Sequence, residues 1–278
     1  MNHAYPAPAK LNLFLHVVGR RPDGYHLLQS VFRFIDYADT VYLELRDDGR
    51  VVRAGDLPGV AEDADLTVRA ARLLQAYAPA GAGVTIRLEK KLPLGGGLGG
   101  GSSDAATVLL ALNRLWQVNL SRAALQTLGL QLGADVPVFI FGQTAFAEGV
   151  GEILHPVSVP PAWYVVLMPP VQVATGAIFA APELTRNTPA LKIARFSAGA
   201  VHNDLQPVAT GRYPEIARHL EWLAHFGDAR MTGSGACVFA VFATEDAAHD
   251  VLRRLPDSMQ GFVAQGLDRH PLSDCCAG

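Results

Sequence analysis

The feature that most constrains this chain is a run of glycines. Six of the seven residues in Gly95-Gly96-Gly97-Leu98-Gly99-Gly100-Gly101 are glycine, and Ser102-Ser103-Asp104 follows into an alanine-rich apolar stretch. Upstream, Val84, Ile86 and Leu88 alternate with polar residues as in a half-buried strand. Downstream, Ala105, Val108, Leu109, Leu112 and Trp116 recur at helical spacing, with Ser102 or Ser103 as the expected N-cap and Asp104 in the first turn. The order is strand, Lys90-Lys91-Leu92-Pro93, glycine loop, helix. Glycines let backbone N–H groups converge on a ligand with no Cβ in the way, and the helix adds its dipole and unpaired first-turn donors. The segment therefore predicts an anion cradle, most simply for phosphate. A flexible surface linker would not be pinned between a strand and a capped helix.

Elimination narrows the type of cradle. No lysine follows a glycine in the run, which excludes the G-x-x-x-x-G-K-[ST] loop. Gly95, Gly97 and Gly100 fit G-x-G-x-x-G, but no Asp or Glu lies between Asp104 and Asp135 to hold a ribose hydroxyl, so a nicotinamide-dependent oxidoreductase is the weaker enzyme reading. Neither this run nor the second glycine turn, Thr232-Gly233-Ser234-Gly235-Ala236, contains the G-x-S-x-G of a serine hydrolase. The nine histidines show no metal-ligand spacing, and Cys237, Cys275 and Cys276 form no CxxC, so a dedicated zinc site is not expected.

At 50% apolar and 18% charged, the chain has ample material for a folded core. Its net charge of −3 and lack of a basic stripe argue against a nucleic-acid partner. No apolar run reaches the roughly 18 residues of a membrane span, and Asn12, His16 and Arg20-Arg21 interrupt any signal-peptide pattern near the N-terminus. A cytoplasmic protein is expected. At roughly 150 residues per domain, 278 residues make about two, and the proline-rich stretch His155-Pro156-Val157-Ser158-Val159-Pro160-Pro161 marks a boundary between lobes at 1–155 and 156–278.

Strand-like patterns are expected at 11–18, 30–34, 40–45, 164–168, 238–242 and 261–264. Helices are expected from Leu66 to about Tyr77, from the Ser121 cap to Gly129, over 214–226, and from the Thr244 cap to Leu255. The class is α+β in both halves. Two charged residues stand in unusual settings. Asp135 precedes the apolar run Val136-Pro137-Val138-Phe139-Ile140-Phe141, where it could be a partly buried general base or simply terminate a strand. Lys10 is the only charge before a nine-residue strand-like run; alone it would be read as a solvated strand start.

Three segments taken in order, Pro8-Ala9-Lys10-Leu11-Asn12-Leu13, the run from Pro93 and Leu94 through Ser103, and Thr232-Gly233-Ser234-Gly235, resemble the three motifs of the GHMP small-molecule kinases. Asp23-Gly24-Tyr25-His26, Leu132-Gly133-Ala134-Asp135-Val136-Pro137 and Ala147-Glu148-Gly149-Val150-Gly151-Glu152 further resemble the branch that acts on 4-diphosphocytidyl-2-C-methyl-D-erythritol. The resemblance runs from about residue 7 to residue 263. It implies a two-lobed α+β fold, with a ribosomal-protein-S5-domain-2-like N-terminal lobe and a ferredoxin-like α/β sandwich C-terminal lobe. It also implies transfer of the γ-phosphoryl of ATP, accompanied by Mg2+, to the 2-hydroxyl of the methylerythritol unit. Asp135 would be the base, and Lys10 beside it would favour the carboxylate form and neutralise charge on the migrating group.

The same resemblance implies that Pro93 to Ser103 wraps the ATP phosphates, with Lys90 and Asp65 lining the adenine pocket, although the family more often has Asn at position 65. Thr232, Gly233, Ser234 and Gly235 would close over the transferring group. Tyr25 and Phe179 would sandwich the cytosine, His26 would bond its edge, and Asn12 would orient the methylerythritol. Phe179 has plain core packing as its alternative. Ser103 is the one metal-ligand candidate. The partners expected are small molecules, with the chain a monomer or weak homodimer. Two alternatives stand beside this reading: another GHMP kinase, for mevalonate, homoserine or a sugar, and a non-catalytic nucleotide- or RNA-binding module.

Overall fold

The computed structural model describes residues 2–192 and 201–276. Its frame is a pair of very long antiparallel strands, β1 (Asn2–Arg20) and β2 (His26–Arg46), joined by a turn in which Gly24 adopts a left-handed φ of 92°. Strand β2 is long enough to serve several partners. It pairs with β4 (Gly83–Glu89) through Thr40–Arg46, with β5 (Ala145–Glu148) through Ser30–Phe32, and with β10 (Gly261–Leu267) through Phe34 and Ile35. The sheet order is β3-β4-β2-β10-β7-β9-β8, with β3 (Val51–Ala54), β7 (Trp163–Leu167), β8 (Ala229–Met231) and β9 (Val238–Phe242); β1 and the β5–β6 hairpin (β6, Ile153–Pro156) branch from β2.

The sequence reads β2 as two strands because Asp36 and Asp39 interrupt its apolar alternation. Asp39 is fully buried yet tolerated, because its carboxylate accepts from the backbone N–H groups of Lys91 and Leu92 and pairs with Lys90. Strand β8 was not anticipated; three residues are too few to show a period.

Helices α1 (Leu66–Gln75), α2 (Gly100–Leu115), α3 (Arg122–Leu130) and α4 (Val136–Phe141) cover the β1–β2–β4 face. Helices α5 (Thr175–Phe179), α6 (Gln206–Arg212), α7 (Pro214–Ala224) and α8 (Glu245–Leu252) belong to the second half. The Ser121 and Thr244 caps are as expected, accepting from Ala124 N and Ala247 N. The run 136–141 is a buried helix entered at Asp135 and stopped by Gly142 at φ 77°, so of the two readings of Asp135 the strand end falls away. A six-residue apolar run has no periodicity to separate strand from helix.

Three buried clusters hold the molecule. One lies under α1–α4, and a second packs α5–α8 on β7 and β9. A third joins them and includes Leu11, Phe14, Ile35, Leu98, Tyr164, Cys237 and Phe239. The chain crosses between the halves more than once, since Leu15 and Val17 of β1 belong to the second cluster and Leu272 returns to the first. Cys237 is buried and free; the side chains of Cys275 and Cys276 lie outside the described residues.

Candidate active site

A cleft of about 880 Å³ runs along the joint between the halves. At its floor, β1 presents Lys10 and Asn12 two residues apart and hence on one face. Register shifts in the β1–β2 ladder at Pro8/Ala9 and Asn12/Leu15 bracket the pair, as bulges beside functional sites re-aim side chains. Lys10 is buried, and its Nζ donates to Asn12 Oδ1 at 2.6 Å and Gly97 O at 2.9 Å and sits 3.3 Å from Asp135 Oδ2. An ammonium has three protons, and these are its three acceptors. Asp135, at the entry of α4, keeps 38% of its side chain exposed toward the cleft, so one carboxylate is both anchored to a cation and open to a substrate hydroxyl.

The glycine loop forms one wall. Gly95, Gly97 and Gly99 have φ values of 70°, 76° and 73°, a conformation that favours glycine. Its one side chain, Leu98, is buried in the joining cluster and anchors the loop while the backbone faces the cleft. Helix α2 starts inside the run. Its N-cap is left-handed Gly99 with no side-chain cap bond, in place of the expected serine cap, so among the described residues the first-turn N–H groups of Gly100, Gly101 and Ser102 have no acceptor.

The Thr232–Gly235 turn, linking β8 to β9, closes on this loop from the second half. Thr232 Oγ1 accepts from Asn12 N at 2.9 Å and donates to Gly97 O at 3.4 Å, and Cys237 N donates to Gly96 O at 3.0 Å. Sequence reasoning missed two supports of this turn. Asn203 Nδ2 donates to the carbonyls of Met231 and Gly233, each at 2.8 Å, and the Ser234 hydroxyl lies 2.8 Å from that of Thr175. No local pattern marks Asn203; its partners lie about thirty residues away.

At the other end, Tyr25, His26 and Phe179 line the cleft. Tyr25 is 64% exposed on the β1–β2 turn, and the His26 and Phe179 rings stand 5.1 Å apart at 31°. Burial, together with the nearby Arg186 and Arg20 guanidinium groups, holds the His26 imidazole below its ordinary value.

Residues 65–143 match the family GHMP kinases N terminal domain, and residues 181–261 match GHMP kinases C terminal. The 4-diphosphocytidyl-2-C-methyl-D-erythritol kinase of Thiobacillus denitrificans is 78% identical over 274 residues, covering 99% of both chains. The chain belongs to the GHMP kinases, in the 4-diphosphocytidyl-2-C-methyl-D-erythritol kinase family. A relative of the same name from Nitrosospira multiformis is 61% identical over 97% of this chain and 92% of its own. A crystal structure of a 4-(cytidine 5'-diphospho)-2C-methyl-D-erythritol kinase superposes with a TM-score of 0.82 at 35% identity, covering 96% of this chain and 99% of that one. A mevalonate kinase structure matches at 0.67 and 14% identity, a likeness of fold alone.

For this GHMP kinase most of the expected site residues line one cleft: Lys10, Asn12, Tyr25, His26, Lys90, Pro93, Leu94, the six glycines, Ser102, Asp135, Phe179, Gly233, Ser234 and Gly235. Four do not. Leu98 is an anchor, and Thr232 is buried behind the turn it ties. Ser103 was the candidate metal ligand, but its hydroxyl is buried and donates to Pro8 O at 2.7 Å; one residue earlier on the helix, Ser102 faces the cleft. Asp65 is the N-cap of α1, accepting from Thr67 N and Thr67 Oγ1 through Oδ1 and pairing with Arg53 through Oδ2, so its carboxylate is spent within the protein. Lys90 reaches the cleft, but its ammonium is braced by Asp39 and by Asp104 at 2.7 Å; burial opposes its charge, and the two carboxylates outweigh it and push Lys90 up.

Proposed function

We propose that this chain transfers the γ-phosphoryl of ATP to the 2-hydroxyl of 4-diphosphocytidyl-2-C-methyl-D-erythritol, giving the 2-phosphate and ADP on the non-mevalonate route to isoprenoid precursors. The observation that carries the reading is the 78% identity, over 99% of both chains, to a kinase of that name. The mevalonate kinase and homoserine kinase likenesses, at 14% and 17% identity, do not favour another acceptor.

In this reading Asp135 accepts the proton of the 2-hydroxyl as its oxygen attacks the γ-phosphorus and the bond to the bridging β–γ oxygen breaks, releasing ADP. Lys10, already bonded to Asp135 and to the glycine loop, offsets charge on the migrating group. The open N–H groups of Gly100, Gly101 and Ser102 take phosphate oxygens, and Tyr25, Phe179 and His26 take the cytosine. Among the described residues no three His, Cys, Asp or Glu side chains cluster as a metal cage. Mg2+ would come in with the triphosphate, and the Ser102 side chain, which lines the cleft beside the first turn of α2, would offer it a hydroxyl oxygen. When bound, the ion neutralises charge on the phosphates.

No helix of the described residues is long and apolar enough to cross a membrane. We take the setting to be the cytoplasm, and the enzyme to be a monomer or weak homodimer of two lobes divided near residues 155 and 156, with ATP held mainly by the first. Incubation with ATP and a panel of alcohols tests the assignment: phosphorylation of the cytidylyl substrate is expected, and turnover of mevalonate or homoserine in its place would overturn it.

A further inference from the structure

We infer that Arg186 is a positioning residue that fixes the tautomer of His26 and thereby sets the preference of the cleft for cytosine over uracil. The inference rests on the cytidylyl substrate proposed above. Arg186 Nε lies 3.1 Å from His26 Nε2. A guanidinium has donors and no acceptor, so His26 Nε2 must be the acceptor, and a neutral imidazole that accepts at Nε2 carries its single proton on Nδ1. Burial and the two neighbouring guanidinium groups favour that neutral ring.

Arg186 is itself held in place. Its Nη1 donates to Leu184 O at 3.0 Å, and its Nη2 donates to Phe179 O at 3.1 Å and Ala181 O at 2.6 Å. One side chain thus fixes the proton on His26 and ties down the backbone that carries Phe179, the ring beside it. Nδ1 has no hydrogen-bond partner among the described residues, and His26 lines the cleft, so the Nδ1–H is available to a ligand. Cytosine presents an unprotonated N3, an acceptor, whereas uracil carries a proton at N3. The Nδ1–H tautomer therefore matches cytosine and sets donor against donor with uracil, and the opposite tautomer would reverse the match.

The test uses the full-length enzyme, His26→Ala and Arg186→Met. Long-range 1H–15N spectra, with the His26 signals assigned by their loss in His26→Ala, should show the Nδ1–H form in the wild type and its loss in Arg186→Met. In steady-state kinetics with the cytidylyl substrate and its uridylyl analogue, Arg186→Met should lose at least about tenfold of the cytidine preference, through KM rather than kcat, with KM for ATP unchanged. A wild-type His26 in the Nε2–H form overturns the proposal without recourse to any variant. Arg186→Met keeping the full preference while His26→Ala loses it overturns the role of Arg186 and leaves the cytosine pocket standing. Both variants keeping the wild-type KM and preference would remove the pocket assignment, and the proposal with it.

Discussion

Gly97 lies against the turn of the second half with no room for a side chain, and replacing it with alanine should separate catalysis from stability. A Cβ there would stand 2.3 Å from Thr232 O and 3.0 Å from Gly235 O, where ordinary contact begins at 3.4 Å. Both obstacles are backbone, so the loop must retreat by about 1.1 Å, the difference between 3.4 and 2.3. Gly97 O accepts from Lys10 Nζ, so the retreat drags or breaks the contact that holds the ammonium beside Asp135. A misplacement of about 1 Å costs on the order of a hundredfold in rate. The left-handed φ of 76° adds about 1 kcal/mol of strain to alanine. Gly59 supplies the control: its φ is 78°, and an added Cβ meets nothing within 4 Å. Release of ADP and urea unfolding should show Gly59→Ala losing about 1 kcal/mol of stability with unchanged kcat, and Gly97→Ala losing about a hundredfold in kcat. A kcat for Gly97→Ala within about threefold of wild type would refute the close-approach argument.

Asp135→Ala should lower kcat by about a hundredfold or more while ATP still binds, as checked by single-turnover kinetics beside nucleotide titration; near-normal turnover would remove Asp135 as the base. Tyr25→Ala should raise KM for the cytidylyl substrate, by removal of an exposed stacking face worth about 1 kcal/mol, and leave KM for ATP alone. His270 should govern acid stability. Burial, with Arg122 nearby, holds it down at about 3, its Nδ1 accepts from Leu272 N, and its buried Nε2 has no partner among the described residues. A group depressed in the fold contributes stability above its unfolded value near 6.5 that is lost as pH falls toward 3, at about 1.4 kcal/mol per unit, or about 2 kcal/mol by pH 5. His270→Asn, whose side-chain oxygen replaces the Nδ1 acceptor, should flatten urea-denaturation stability between pH 7 and pH 5; an unchanged slope would exclude His270 as its source.

What could be read from the sequence was whatever is encoded locally. The glycine run between a strand and a helix, the Ser121 and Thr244 caps and strand β9 each carry their signal within about ten residues, and each stands where expected. The failures have physical causes of their own. Glycine is among the poorest helix formers, so nothing local says that α2 begins at Gly100; what permits it is left-handed Gly99 as cap and the packing of α2 against β1 and α1. Ser103 was the metal-ligand candidate, but facing is decided by helical phase, which turned Ser102 to the cleft and Ser103 to Pro8 O. Asp65 shows the same limit: an acidic side chain beside a pocket is free for a ligand only if the helix it precedes does not need a cap.

The pair proposed for catalysis, Lys10 and Asp135, was legible only through resemblance, and the structure explains why. Lys10 looks like an ordinary solvated strand start until its three acceptors are counted, and they come from positions 12, 97 and 135, on a strand, a loop and a helix entrance. Neither the loop carbonyl nor the carboxylate is near it in sequence. The partners are brought together by Leu98, which sits in the joining cluster with Leu11 of the same strand, and by Thr232, whose hydroxyl bonds Asn12 N and Gly97 O at once. A buried ammonium without those acceptors would be strongly destabilising. The charge that the proposed chemistry calls on is therefore tolerated at the floor of the cleft because the glycine loop and the turn of the second half close around it, so the geometry proposed for phosphoryl transfer is also what makes the buried lysine stable.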